Sequence, residues 1–198
     1  MQFIDLAAQT RLLSQTHLAL RSLRADVEQV RAGDISKPVR ELAPIAVGAQ
    51  ELATRCTQQL EVLSTSQYAA MKDGHWNLAK LAEASAQVSH AGALCARAIH
   101  ARTETLLYDD ADETPEASRT VLAEAAEKMG FASQVYVGLA QQLSRRTLSA
   151  AAQQEDQRLI QHALAELGTP GTPSAAAPAA ENSLPPLPAI RGAAPRKR

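Results

Sequence analysis

Apolar residues recur along most of this chain at steps of three and four, the spacing of a helix face, and not at the strict alternation that strands require. The first segment sets Leu6, Leu13, Leu20 and Val27 seven apart, adds Leu23 and Val30, and keeps Arg11, Arg21, Arg24, Glu28 and Arg31 off that line. This is an amphipathic helix with a narrow, coiled-coil-like seam. Gly33 is expected to end it as a left-handed cap. Ser36 then reads as the N-cap of a second helix, with Pro38 in its first turn.

The second seam is Leu42, Ile45, Ala49, Leu52, Cys56 and Leu63, widened by Leu60. Pro44 sits deep for a helix start, so either a kink there or a start delayed to about Ala43 is expected. The pattern runs on through Tyr68 and Met71 to Lys72-Asp73-Gly74, where a short break and a tolerated glycine both fit the sequence. The third seam, Leu78, Leu81, Ser85, Val88, Gly92, Cys95, Ile99 and Leu106, misses only at Arg102. Its small residues allow close backbone approach, which predicts a central position for this helix.

An acidic stretch, Asp109 to Glu113, separates the third helix from a fourth that opens on Thr114-Pro115-Glu116. Its seam is Leu122, Ala125, Met129, Ala132, Tyr136, Leu139 and Leu143. The apolar signal fades between Ser149 and Gln157 and returns at Leu159, Ile160, Ala163, Leu164 and Leu167. A single helix from 115 to 167 would extend roughly 80 Å at 1.5 Å per residue. Either it protrudes from the bundle or it bends near residue 150.

Composition supports helices throughout. Alanine makes up about a fifth of the 198 residues and aromatics only 3%, whereas strands favour β-branched and aromatic side chains. The boundary is at Gly168: residues 168–198 hold seven of the ten prolines and too few apolar groups to offset their ordering entropy. We therefore divide the chain into a helical bundle, 1–167, and a disordered tail rich in proline and alanine, 168–198. The near-neutral total conceals two unlike parts. The body carries 16 basic and 20 acidic residues, net −4, and the tail 4 basic and 1 acidic, net +3.

The motifs of common chemistries are missing. The acidic stretch lacks the glycine and the closing glutamate of a calcium loop, so it reads as a solvated connection. His100 with Glu104, and His162 with Glu166, are i,i+4 pairs, yet no histidine follows a glutamate by three as di-iron bundles require, and no His-Glu-x-x-His zinc motif occurs. There is no phosphate loop, dinucleotide fingerprint or nucleophile elbow. Cys56 and Cys95 lie within helical patterns and read as small buried hydrophobes. Trp76 reads as an anchor at a bundle end. No catalytic residue, cofactor or metal is expected.

The N-terminus lacks a basic leader and no stretch reaches 18 apolar residues, so the expected compartment is the cytoplasm, without membrane attachment. The expected fold is an all-α antiparallel bundle of about four long helices, elongated if the last is continuous. Narrow alanine-rich seams bury limited area, which leads to the expectation of a homodimer. The expected function is a non-enzymatic helical module for protein–protein interaction or scaffolding. Its tail offers Pro185, Pro186 and Pro188 as a candidate polyproline ligand. The alternative is a small DNA-associated or regulatory protein that uses the basic tip, Arg191, Arg196, Lys197 and Arg198, on phosphate or on a partner's acidic patch.

Overall fold

A computed structural model of the chain describes residues 2–108 and 115–168. Among the described residues five α-helices follow one another: α1 Leu6–Ala32, α2 Pro38–Ser64, α3 Gly74–Leu107, α4 Pro115–Leu148 and α5 Ala150–Gly168, with one 3-10 turn, Gln67–Ala70. They lie within one compact unit, Met1–Gly168. The acidic stretch Asp109–Glu113, Thr114 and the whole tail, with its candidate prolines and basic residues, lie outside the described residues.

The four long helices pack as an antiparallel bundle in which α4 sits between α1 and α3, and α3 sits between α4 and α2. Direction follows from the contacts. Thr57 meets Ser85 while Ala49 meets Gly92, so α2 and α3 run oppositely. His17 meets Ser133 while Arg24 reaches Gly130, so α1 and α4 do too. The fourth side, α1 against α2, is sparsely packed and leaves an open groove.

The seams are where the periodicity puts them except at the end of α3, where Ile99 is half-buried and Leu106 is exposed. Leu13, Leu20 and Val27 of α1, Leu42, Ile45, Ala49, Leu52, Cys56 and Leu63 of α2, and all seven seam residues of α4 are buried. On α3, Leu78, Leu81, Ser85, Val88, Gly92 and Cys95 are buried, and α3 has two closely packed neighbours. Its small seam does bring backbones together: a Cβ on Gly92 would lie 3.4 Å from that of Ala49. Arg102, the residue that interrupts the seam, turns its guanidinium to the loop before α2. Its Nε donates to the Ile35 carbonyl at 2.8 Å, and its Nη2 lies 3.6 Å from an Asp34 carboxylate oxygen.

Helix ends depart from expectation in four places. Gly33 caps α1 through its own N–H, to the carbonyls of Gln29 and Val30, in an extended conformation, not a left-handed one. Lys37, not Ser36, precedes α2, and Pro38 opens it, a position where a missing N–H costs nothing. Pro44 lies inside α2 and does not delay its start. Finally, α2 stops at Ser64 instead of continuing through Met71. The Gln67 side chain explains the stop. Its Oε1 accepts from the Ile4 N–H at 2.8 Å and its Nε2 donates to the Ile4 carbonyl at 2.7 Å, so the N-terminal strand of chain is tied across the bundle end at the cost of continuing the helix.

The break before α3 needs Asp73 in the left-handed region, at φ 61°. Gly74 then passes so close to the Tyr68 and Ala69 carbonyls that a Cβ there would overlap both. A second break, at Ser149, decides between one long helix and two. The chain turns, and α5 packs back on α4 and on the 3-10 turn.

Candidate docking surface

The core is chemically quiet. His17 Nδ1 lies 2.8 Å from Ser133 Oγ, and Thr57 and Ser85 pair their hydroxyls at 3.1 Å; both contacts link neighbouring helices. Burial pushes the Cys95 thiol up to about 11 and raises the Cys56 thiol as well, the Tyr136 hydroxyl partly opposing it. Neither is a thiolate at neutral pH, so neither is a ready nucleophile. Tyr68 is pushed up to about 12, mainly by burial. His100–Glu104 and His162–Glu166 form i,i+4 pairs at 3.4 Å, with both imidazoles largely exposed. Among the described residues no three His, Cys, Asp or Glu side chains converge as metal ligands would.

Several concave places remain, among them a shallow one of about 400 Å³ between Val39 of α2 and Leu106 and Leu107 of α3 and the three that follow. The α1/α2 groove, of about 350 Å³, is walled by glutamines with Leu12, Leu52 and Val62. A pocket of about 270 Å³ at the bundle end lies among Phe3, Leu6, Met71 and Ile160, and Arg146 on its wall is already committed to Asp156. The third, of about 420 Å³, opens between α3 and α4.

This third groove holds two of the exposed large apolar side chains, Trp76 and Phe131. Trp76 and Lys80 stand one turn apart on α3; Phe131, Val135, Gly138, Leu139 and Gln142 follow one face of α4. Trp76, the only tryptophan, is 61% exposed and Phe131 is 41% exposed. Trp76 stands in the first turn of α3, near the bundle end as its sequence context suggested, but its ring is exposed and does not anchor that end in the core. Its position is one that the seam of α3 turns outward, so the ring has no core to enter. The Lys80 ammonium lies 5.3 Å from the centre of that ring and 3.6 Å from a Glu83 carboxylate oxygen, a cation–π contact beside an i,i+3 ion pair. The floor is open at Gly138, where an added Cβ would meet nothing within 4 Å.

The groove thus sets an exposed tryptophan beside an open floor, flanked by apolar side chains and one ion pair. Periodicity passed over Phe131 and Gly138 because it ranks seam positions. The signal that would have found them is aromatic placement: in a chain with six aromatic residues, two lie off the seam on facing helices. The predicted tail residues Arg191, Arg196, Lys197, Arg198, Pro185, Pro186 and Pro188 are outside the described residues. In comparisons with known proteins, no family model, no curated protein and no solved structure matches this chain.

Proposed function

We propose that the chain is a non-enzymatic helical module for protein–protein interaction or scaffolding, and that the α3/α4 groove is its docking surface. The observation that carries this is the exposed Trp76 standing beside Phe131 over the open floor at Gly138. A large aromatic left in water costs apolar hydration that a partner removes, and tryptophan is among the residues that dominate interface energies. A homodimer that completes the core, expected from the narrow alanine-rich seams, is a further form of this reading. The buried free thiols Cys56 and Cys95 support a reducing compartment such as the cytoplasm.

A photo-crosslinking amino acid placed at Gln142, on the groove wall, tests the surface in the protein's own cells. A discrete adduct that disappears with Trp76→Ala is the expected result; no adduct at all removes the reading. The second class, DNA association, draws support from the net charge of +3 over residues 168–198. Salt-sensitive DNA binding by the full chain, absent from a chain ended at Leu167, is what that alternative requires.

A further inference from the structure

We infer that the break at Ser149 is a conformational switch: α5 exchanges between its place on the bundle end and an extended state in which α4 and α5 form one continuous helix from Pro115 to Gly168.

The break has no local cause. Sharp bends in helices are made by proline, by glycine and serine pairs or by a side chain inserted into the backbone ladder. Residues 145–154 read Arg-Arg-Thr-Leu-Ser-Ala-Ala-Ala-Gln-Gln, with neither glycine nor proline and with many strong helix formers. The bonds that replace the ladder there are weaker than those of a helix. The Ser149 N–H donates to the Arg146 carbonyl at 3.2 Å, the Ala152 N–H reaches Ser149 Oγ at 3.4 Å, and the Gln153 side-chain amide donates to the Thr147 carbonyl. A straight helix would pair the N–H groups of residues 149–152 with the carbonyls four positions back.

The bend is therefore held from a distance. Over residues 150–166 only Asp156 is buried, and its partners are Arg146 at the end of α4 and the Lys72 N–H in the turn before α3. Glu155 adds an ion pair with Lys72 at 3.1 Å. Apolar contact contributes less: Ile160 and Ala163 are half-buried, while Leu159 and Leu164 remain 40% and 39% exposed. A few polar contacts at one spot thus decide where nineteen residues lie.

Helix physics makes extension the nearest alternative. A helix detached on its own would need a new nucleus, whereas an extension of α4 propagates from turns already formed. Leu148 is 83% exposed, and Ser149 and Ala150 are exposed as well, so the axis of α4 runs out into solvent. Extension lifts α5 off Phe3, Leu6 and Met71 and removes one wall of the end pocket. The apolar bundle end and the stripe Leu159, Ile160 and Leu164 are then uncovered together, so this surface is presented in one state and partly covered in the other.

Spin labels on cysteines placed at Glu127 and Gln161, both exposed, test this in the full chain, since the native cysteines are buried. One continuous helix sets these positions roughly 50 Å apart at 1.5 Å per residue, and the bend brings them closer. Asp156→Ala should raise the ratio of the long to the short distance at least about tenfold, with helix content by circular dichroism held or slightly raised. Arg146→Gln should act in the same direction. Ala150→Pro is the lock: proline is accepted in the first turn of α5 but not inside a continuous helix. It should leave the short distance of the otherwise unsubstituted chain intact and remove the long one from Asp156→Ala.

Absence of the long distance from both Asp156→Ala and Arg146→Gln would overturn the inference, as would a long distance that survives Ala150→Pro. Loss of helix content as α5 leaves the bundle would overturn it too, because α5 would then melt instead of straightening.

Discussion

Arg146 and Asp156 face each other across the break at Ser149. Arg146 Nε donates to Asp156 Oδ2 at 3.1 Å and its Nη2 donates to Oδ1, while the Lys72 N–H donates to the same Oδ1 at 3.2 Å. One buried carboxylate, 6% exposed, thus ties together the end of α4, the start of α5 and the turn before α3. The apolar stripe of α5 is short, so this contact carries much of its attachment.

Asp156→Ala should therefore loosen α5 selectively. Removing one partner leaves the Arg146 guanidinium, itself 15% exposed in its side chain, with only the more distant Glu155 carboxylate, 3.6 Å away. The cost should fall between the exposed and buried limits, roughly 1–3 kcal/mol. Urea denaturation measures that cost. Amide exchange should locate it, with protection falling across 150–168 and staying intact in the buried stretches of α3 and α4.

Glu155 gives the same latch a pH dependence. The hydrogen bond from the Lys72 ammonium, at 3.1 Å, is the main cause holding its carboxyl below the usual glutamate range, with Arg146 assisting. A carboxyl whose folded value is depressed contributes stability above its unfolded value and loses it as pH falls through the folded one. Melting temperature should accordingly drop as pH falls below the ordinary glutamate range. In Glu155→Gln that part of the drop should be absent, with both proteins compared at matched ionic strength.

The turn before α3 should respond oppositely to two neighbouring substitutions. Asp73 holds φ 61°, a conformation that costs an L-residue roughly 1 kcal/mol and glycine almost nothing. Asp73→Gly should stabilise by up to about that amount, less what the freer unfolded chain takes back. Gly74→Ala should destabilise by several kcal/mol, because its Cβ would strike the Tyr68 and Ala69 carbonyls, backbone atoms that cannot swing aside. Denaturant midpoints of the two variants measure both signs.

The helical core was legible because burial along a helix is a local, periodic property: Leu13, Leu20 and Val27 announce themselves without reference to anything distant. Helix ends were less so. The stop at Ser64 depends on a side chain, Gln67, reaching Ile4 some sixty positions away, and no window of sequence contains both. The break at Ser149 depends likewise on Lys72 and on the end of α4 meeting Asp156. The groove was hidden for a different reason. Trp76 and Phe131 are conspicuous residues, but which of them a fold buries depends on the rotation of α3 against α4, and the small side chains of their seams leave little in the sequence to mark it.

Both cysteines should resist thiol reagents. Burial pushes Cys95 up to about 11 from an ordinary 9.0, which alone cuts its thiolate fraction about a hundredfold near neutral pH. Its side chain also has no access to solvent. Labelling by a disulfide reagent at pH 8 should proceed at least about a hundredfold more slowly in the native chain than in urea, and its rate should follow unfolding. Rapid modification of either thiol in the folded chain would contradict their placement.

Tyr136 carries the least expected stability relationship in the core. Its ring is fully buried, and its hydroxyl ends beside the Cys56 thiol without a well-formed hydrogen bond to it or to another group. Burial raises both groups, so each stays neutral and neither offers the other a charge to stabilise. An unsatisfied buried hydroxyl costs about 1–3 kcal/mol of desolvation, and deleting it leaves only a small void. Tyr136→Phe should thus be neutral or stabilising by up to about 1 kcal/mol. Cys56→Ala should be destabilising, since it removes packed sulfur and leaves the hydroxyl still unpaired. Because the hydroxyl is unpaired even with the thiol present, Cys56→Ala should cost only its packing part in either background, and the two changes should add. A full double-mutant cycle in urea measures both costs, and a smaller cost in the Tyr136→Phe background would mean that the thiol and the hydroxyl do interact.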